Sequence, residues 1–213
     1  MATEFSDFCQ IITLSEDHGD AAASLMARAL HDDPLFVRGC PDPDLRARWL
    51  PWLFRWSTWK GFYFGRTLGT AGELTGVAAL IGPDGGDFTP EQLAQFDYAA
   101  GRDAIGAAEW DRAVDRVNAA FDPADTALHQ ACSEAHWYLD VLAVAPACQG
   151  QGMGGTLLRA VHALADADGK PTVLLTFNPR NHALYERHHY RVICHDATPT
   201  HGPAWWGMQR DPG

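Results

Sequence analysis

The sequence is poor in positive charge: Lys and Arg total 16 against 27 Asp and Glu, a formal net charge of -11 over 213 residues. A surface of that sign repels phosphate backbones and draws cations, which argues against nucleic acid as the main partner and suits an amine. No stretch supplies the roughly 20 consecutive apolar residues of a membrane span. MATEFSDFCQ has neither the basic start nor the apolar core of a secretory signal. A cytoplasmic protein with no membrane partner is therefore expected. The five cysteines (Cys9, Cys40, Cys132, Cys148, Cys194) are odd in number, scattered and without a CxxC pair, so they indicate neither a disulfide framework nor a zinc ribbon. Repeats, low-complexity tracts and linkers are also missing. With 46% hydrophobic and 20% charged residues, residues 1–213 read as a single well-buried domain.

Hydrophobic spacing supplies the elements. CQIITL, from Cys9 to Leu14, reads as a short strand, with Ser15 as cap to a helix from about Gly19 to Leu30. DDP at Asp32 to Pro34 stops that helix, and a second opens near Asp42. Its Trp49, Trp52, Leu53 and Trp56 form an aromatic stripe, read as core ahead of pocket wall. GFYFGRTL and ELTGVAALIG read as an antiparallel hairpin. Within 83–135, TPEQLAQFDYAA and AAEWDRAVDRVNAAF favour helices, broken near Gly101 and Gly106 and closed by Pro123. His129, Cys132, Glu134 and His136 match no zinc spacing, and no metal is expected.

From His136 onward the pattern sharpens. WYLDVLAV is strand-like and apolar on both faces apart from Asp140. GMGGTLLRAVHALADAD is helical, with Met153, Leu157, Leu158, Val161, Leu164 and Ala165 on one face and Arg159, His162 and Asp166 opposite. TVLLTF is a buried-type strand, NPRNHALYERHHY a short helix, and RVICHDA and AWWGMQR two closing strands. This order predicts one α/β domain with a mixed sheet.

Between the strand WYLDVLAV and its helix lies APACQGQGMGGTLL, with four glycines from Gly150 to Gly155. A strand, a glycine-rich turn and a helix N-terminus together form an anion site, because the first helical amides lack partners and missing side chains let backbone approach a phosphate. Gln149, Gly150, Gln151, Gly152, Met153, Gly154 and Gly155 are thus expected to cradle a phosphate or pyrophosphate. A nucleoside-triphosphate loop would end in Lys and Ser or Thr, and here the chain reads GGTLL. GxGxxG is formally present at Gly150, Gly152 and Gly155. The acid a dinucleotide site needs after the next strand is replaced by Thr176, Phe177 and Asn178.

Gln149-x-x-Gly152-x-Gly154 after LAVAP resembles the signature of the GNAT superfamily of N-acetyltransferases, and Asn181-x-Ala183-x-Tyr185-Glu186 resembles its second motif. HWYLDVLAVAPACQGQGMG, NPRNHALYERHHYRV and GPAWWGMQR are similar to blocks of the puromycin N-acetyltransferase branch, so residues 136–210 carry the best match. His189-Tyr190 stands where that branch has Gly-Phe, and Leu175 where it has an acid. The resemblance implies a GNAT-like, mostly antiparallel mixed sheet flanked by helices, and acetyl-CoA as co-substrate. It also implies backbone contacts from Leu142, Ala143 and Val144 to the pantetheine arm, cofactor positioning by Asn181, and Tyr185 as general acid to the departing thiolate. Asp140, the only charge within its strand, is the expected base or amine anchor; Glu134 and His136 stand in reserve. The expected acceptor is a small-molecule amine, with a protein acceptor or a non-catalytic acyl-CoA sensor as alternatives. Oligomeric state is left open.

Overall fold

A computed structural model describes residues 10–213. The chain opens with β1 (Ile11–Thr13), α1 (Gly19–Ala29), α2 (Pro34–Gly39) and α3 (Pro43–Phe64). The hairpin β2 (Gly65–Thr70) and β3 (Gly76–Ile81) follows, then α4 (Pro90–Gln95), α5 (Tyr98–Ile105) and α6 (Ala107–Ala131). The remainder alternates as β4 (Trp137–Val144), α7 (Met153–Ala167), β5 (Thr172–Thr176), α8 (Pro179–Arg187), β6 (Arg191–Asp196) and β7 (Trp205–Arg210). All seven strands join one sheet in the order β1-β2-β3-β4-β5-β7-β6, parallel only between β4 and β5.

Two-residue alternation sorts the strand side chains to two faces. Val77 and Ala79 of β3 pack with Trp49, Leu50 and Phe54 of α3 and Leu25 and Met26 of α1. Ala78 and Leu80 pack with Leu157, Leu158 and Val161 of α7 and Tyr185 of α8. The sheet thus carries α1, α3 and α6 on one face and α7 and α8 on the other. The predicted fold class, a mixed and mostly antiparallel α/β domain, is the one observed.

Several boundaries fall elsewhere than the local spacing suggests. β1 covers Ile11–Thr13, and Cys9 of the expected strand lies outside the described residues. Pro34 does not simply stop α1: Asp33 caps a new short helix, α2, accepting from Leu35 N–H at 3.1 Å. GFYF is not strand but the last turn of α3, which passes into β2 at Gly65 without a loop. Nor does Pro123 close its helix; α6 continues to Ala131. A proline inside a helix costs about 3 kcal/mol. Here the stripe Val117, Ala120, Ala124 and Leu128 stays buried on both sides of it, and one buried Leu or Val alone contributes about 1.5–3 kcal/mol. His162, placed by spacing on the polar side of α7, is only 8% exposed and stacks near Tyr190.

Gly65 makes the direct passage from α3 to β2 possible. A Cβ there would stand 2.0 Å from the Leu80 carbonyl oxygen and 2.8 Å from its carbon, both backbone atoms. Gly65→Ala is expected to destabilise the fold by about 1–3 kcal/mol, the usual range for overpacking. A lowered urea midpoint at unchanged m-value is the measurement that checks it.

Candidate active site

Among the described residues the one parallel pair of strands is also the one with the fewest paired positions. β4 and β5 stay paired for two steps, Trp137 with Thr172 and Tyr138 with Val173, and then part. On its other edge β4 remains paired with β3 as far as Val144. Ala145 N–H donates to Thr75 C=O at 2.8 Å. Antiparallel alternation then turns the peptide groups of Ala143 toward β3 and those of Leu142 and Val144 into the gap. The Val144 carbonyl accepts from Gln149 Nε2 at 3.1 Å, tying the glycine loop to the strand end.

A bulge aims Asp140. Leu139 pairs with Leu80 and Val141 with Ala79, so Asp140 is the extra residue between them. Leu139 and Leu142 pack toward α7, whereas Val141 and Ala143 pack toward α1 and α3. Asp140 shares the second face and lines a cavity there of about 980 Å³. Burial raises its carboxyl above the ordinary range, partly offset by the Ser57 hydroxyl and the Lys60 ammonium from α3.

The loop on the other side of the gap is open backbone. Gly150 and Gly152 have φ of 77° and 85°, and a Cβ on either would meet nothing within 4 Å. Gly152 is the N-cap of α7 and no side chain caps the helix, which leaves the first-turn amides of Met153, Gly154 and Gly155 free to donate. Gln151 folds back, its Nε2 donating to Ala147 C=O at 3.0 Å.

α8 follows β5 across the gap and carries Tyr185, 6% exposed, into the cavity wall. Burial, reinforced by the charge of Asp33, pushes its phenol well above the usual value near 10. Asn178, not Asn181, caps α8, accepting from Arg180 N–H at 3.1 Å. Asn181 sits half-buried in the first turn and does not line the cavity. Neither does Cys148, a half-buried free thiol after β4.

Tyr185, Asp140 and Leu142 are thus brought to one cavity, with the glycine loop beside the same parted strands. Sequence reasoning missed other members. Trp56 of the aromatic stripe lines the cavity while Trp49 is wholly buried. Phe121 and Asp125 come from α6, and Asp125, raised by burial, stands 3.5 Å from His129 Nδ1. Asp33 lines the opposite wall; burial raises its carboxyl to about 6 although Leu35 N–H and Asn178 favour the charged form. In the sequence Asp33 is only part of the DDP that ends a helix, which gives no hint of a cavity. His129, Glu134 and His136 border the cavity as well. Among the described residues no group of His, Cys, Asp and Glu is arranged to hold a metal, and no helix is long and apolar enough to cross a membrane.

The sheet is thus opened between two parallel strands, with an open glycine backbone after one strand and a buried tyrosine after the other. The acetyltransferase (GNAT) domain model matches residues 106–192. Solved structures agree on the fold over almost the whole chain. An acetyltransferase related to histone acetyltransferases from Corynebacterium glutamicum has a TM-score of 0.63 at 22% identity, covering 96% of each chain. Arylalkylamine N-acetyltransferase 2 from Aedes aegypti has 0.54 at 13%, covering 96% of this chain and 99% of its own. A ribosomal-protein alanine N-acetyltransferase from Escherichia coli has 0.53 at 16%, covering 96% and 94%. The family model thus matches part of the chain, from α6 into β6, and these neighbours share its fold.

The raised carboxyl of Asp140 has a consequence for stability. Its folded-state pKa lies above the unfolded value of about 3.8, so the folded chain binds more protons just above that pH and loses stability as pH rises through the folded value. Asp140→Asn removes this loss. Its melting temperature should match the parent's near pH 4, exceed it increasingly as pH rises through the folded value and level off above it; a constant difference across the whole range would contradict the linkage.

Proposed function

We propose that this protein is an acetyl-CoA-dependent N-acetyltransferase whose acceptor is the primary amine of a small, soluble molecule. The observation that carries the reading is the continuity of one cavity of about 980 Å³ with the gap between β4 and β5, so that Tyr185, Asp140 and Leu142 border a single space. The residues suit acetyl-CoA. The open backbone of Gly150 and Gly152 and the uncapped amides of α7 fit a pyrophosphate. The peptide groups of Leu142 and Val144 fit the amides of a pantetheine arm, with Ala143 behind them. Gln149 and Gln151 hold the loop in shape, and Asn181 supports the turn of α8 beside it.

Acetyl-CoA, when bound, supplies the activated acetyl group. An alkyl amine with a pKa near 10.4 is almost wholly protonated at neutral pH, so a carboxylate must anchor it and take its proton. Asp140 faces the cavity and would either hold the ammonium or take its proton. Tyr185, its proton held tightly by burial, is the acid that protonates the departing sulfur. The cavity is walled by the 83–135 segment through Tyr98, Phe121 and Asp125, which favours a small acceptor over a peptide laid in an open groove. The resemblance of residues 136–210 to the puromycin branch makes amino-bearing antibiotics the first compounds to try, and Leu175, where that branch has an acid, makes a related amine as suitable as puromycin. The negative surface suits such a cation, and cytoplasmic residence, where acetyl-CoA is available, completes the reading.

Acetyl-CoA should raise the melting temperature by mass action, and Gly154→Val should abolish the shift. A Cβ at Gly154 meets only Leu184, at an ordinary 3.6 Å, so the fold tolerates the change while the loop loses its opening. Stabilisation by NADH or ATP and not by coenzyme A would refute the assignment. Tyr185→Phe should retain that shift and lose roughly 10²–10⁴ in turnover on a responsive amine, read by thiol release. Efficient acetylation of peptides with no response from a broad amine panel would move the protein to the protein-modifying class.

A further inference from the structure

The charge of the cavity wall exceeds what one ammonium would balance. Asp33, Asp122, Asp125, Glu134 and Asp140 line it, against Lys60 as the one lysine or arginine among the described residues. A wall of that sign draws more than a single positive charge. Asp125 is the least explained of the five. It sits in the body of α6, where aspartate is a poor helix former. His129 Nδ1 lies 2.9 Å from the Asp125 carbonyl oxygen and 3.5 Å from its carboxylate, so the closer contact is with the backbone. The Lys60 ammonium acts on Asp125 only as a nearby charge and lies over the Trp56 ring, 5.9 Å from its centroid.

Tyr138 is an independent sign of a ligand at the same place. The residue lines the cavity and is 8% exposed, packed with Leu128 and Cys132 of α6, its ring centroid 6.2 Å from that of His129. Burial, with the charges of Asp140 and Asp125 nearby, holds its phenol protonated, and no hydrogen bond satisfies it among the described residues. A buried hydroxyl without a partner is costly. An ammonium has three donors and no acceptor, and a phenolic oxygen beside a carboxylate offers it two acceptors.

The place is set apart from the gap by a measurable step along the sheet. On β3 the partners of Tyr138 and Leu142 are Ile81 and Ala78, three residues apart, which separates the two levels by about 10 Å at the usual strand rise. Trp56 and Phe121 add apolar wall to the cavity, which suits methylene groups better than hydroxyls. Building on the proposed acetyl transfer, we infer that the acceptor is a diamine: one nitrogen reacts at Leu142 and Tyr185, and the other stays an ammonium, held by Asp125 and the Tyr138 hydroxyl. No bond is made or broken at the second nitrogen. It fixes the length of the acceptor, and Asp140 keeps its place nearer the gap.

The test sets propane-, hexane- and octanediamine against monoamines of the same chain length, in the parent, Asp125→Asn and Tyr138→Phe. The readout is the ratio of kcat/KM for diamine over monoamine, which a general loss of folding or of acetyl-CoA binding does not move. In the parent the ratio should reach roughly tenfold or more for the hexane and octane pairs, as hydrogen bonds to a charged group imply. Propanediamine, too short to reach Asp125, should show no such advantage. Asp125→Asn should abolish the long-chain advantage through KM of the diamine, and Tyr138→Phe should reduce it. Calorimetric titration with octanediamine, in the presence of coenzyme A, separates this inference from the reading on which it rests. Octanediamine binding that Asp125→Asn weakens, in a chain that acetylates no amine, would support the subsite and overturn acetyl transfer. Equal ratios at every length, or a long-chain advantage that Asp125→Asn leaves intact, would overturn the subsite while acetyl transfer stands. Neither binding nor turnover of any amine would overturn both.

Discussion

The parting of β4 from β5 is the constraint on which the rest of the site depends. Elsewhere among the described strands the ladders are broken only by single-residue shifts in β3–β4 and β6–β7, but past Tyr138 and Val173 the two central strands diverge. Buried backbone N–H and C=O groups without partners are costly; Leu142 presents its groups to this gap, while the Val144 carbonyl is met by Gln149. The elements that follow the two strands start from its two lips. The glycine loop and α7 continue β4, and α8 with Tyr185 continues β5. One local divergence therefore brings an open glycine backbone, a buried tyrosine and the edge of β4 together. The bulge at Asp140 adds a carboxylate on the opposite face by inserting a single residue.

The cavity keeps its shape because aromatic packing holds its outer wall. Trp56 stands edge-on to Phe88 at 4.8 Å between ring centroids and 5.3 Å from Tyr98. Phe96, wholly buried, contacts Trp59, Phe88 and Tyr98. Tyr98 continues to Trp110 of α6 at 5.4 Å, and Trp110 to Trp49 at 6.5 Å. Such pairs contribute about 0.5–1.5 kcal/mol each beyond their buried area. The network fastens α4 and α5, which have little apolar surface of their own, to α3. Trp56 serves both purposes, since one side of its ring packs in the network and the residue also lines the cavity.

Much of this was readable from the sequence where local pattern and tertiary demand agree. The strand WYLDVLAV, the glycine turn and the helix after it carry a period of two, a backbone requirement and a period near 3.6 in succession, and each is found where expected. The fold class followed from that order. What escaped was governed by contacts distant in sequence. GFYF has strand-like residues, but Gly61 and its neighbours complete a helix that abuts β2. Pro123 looks like a terminator until the buried stripe on both sides of it is visible. The bulge that aims Asp140 exists only in the register with β3. Asp33 reads as part of a helix stop because that signal is local, whereas its place on one cavity with Tyr185 depends on two elements more than 140 residues apart.

The two faces of the sheet give the gap two approaches. The glycine loop and α7 lie on one side, while the cavity opens among α3, α6 and the start of α2 on the other. Under the proposed reading, the acyl donor and the amine approach from opposite directions and meet at Leu142 and Tyr185. Neither has to leave before the other enters, and among the described residues no cysteine stands in the cavity wall to store the acyl group between them. The architecture therefore suits a ternary complex, with intersecting double-reciprocal lines in its initial-rate kinetics in place of the parallel lines of a ping-pong enzyme.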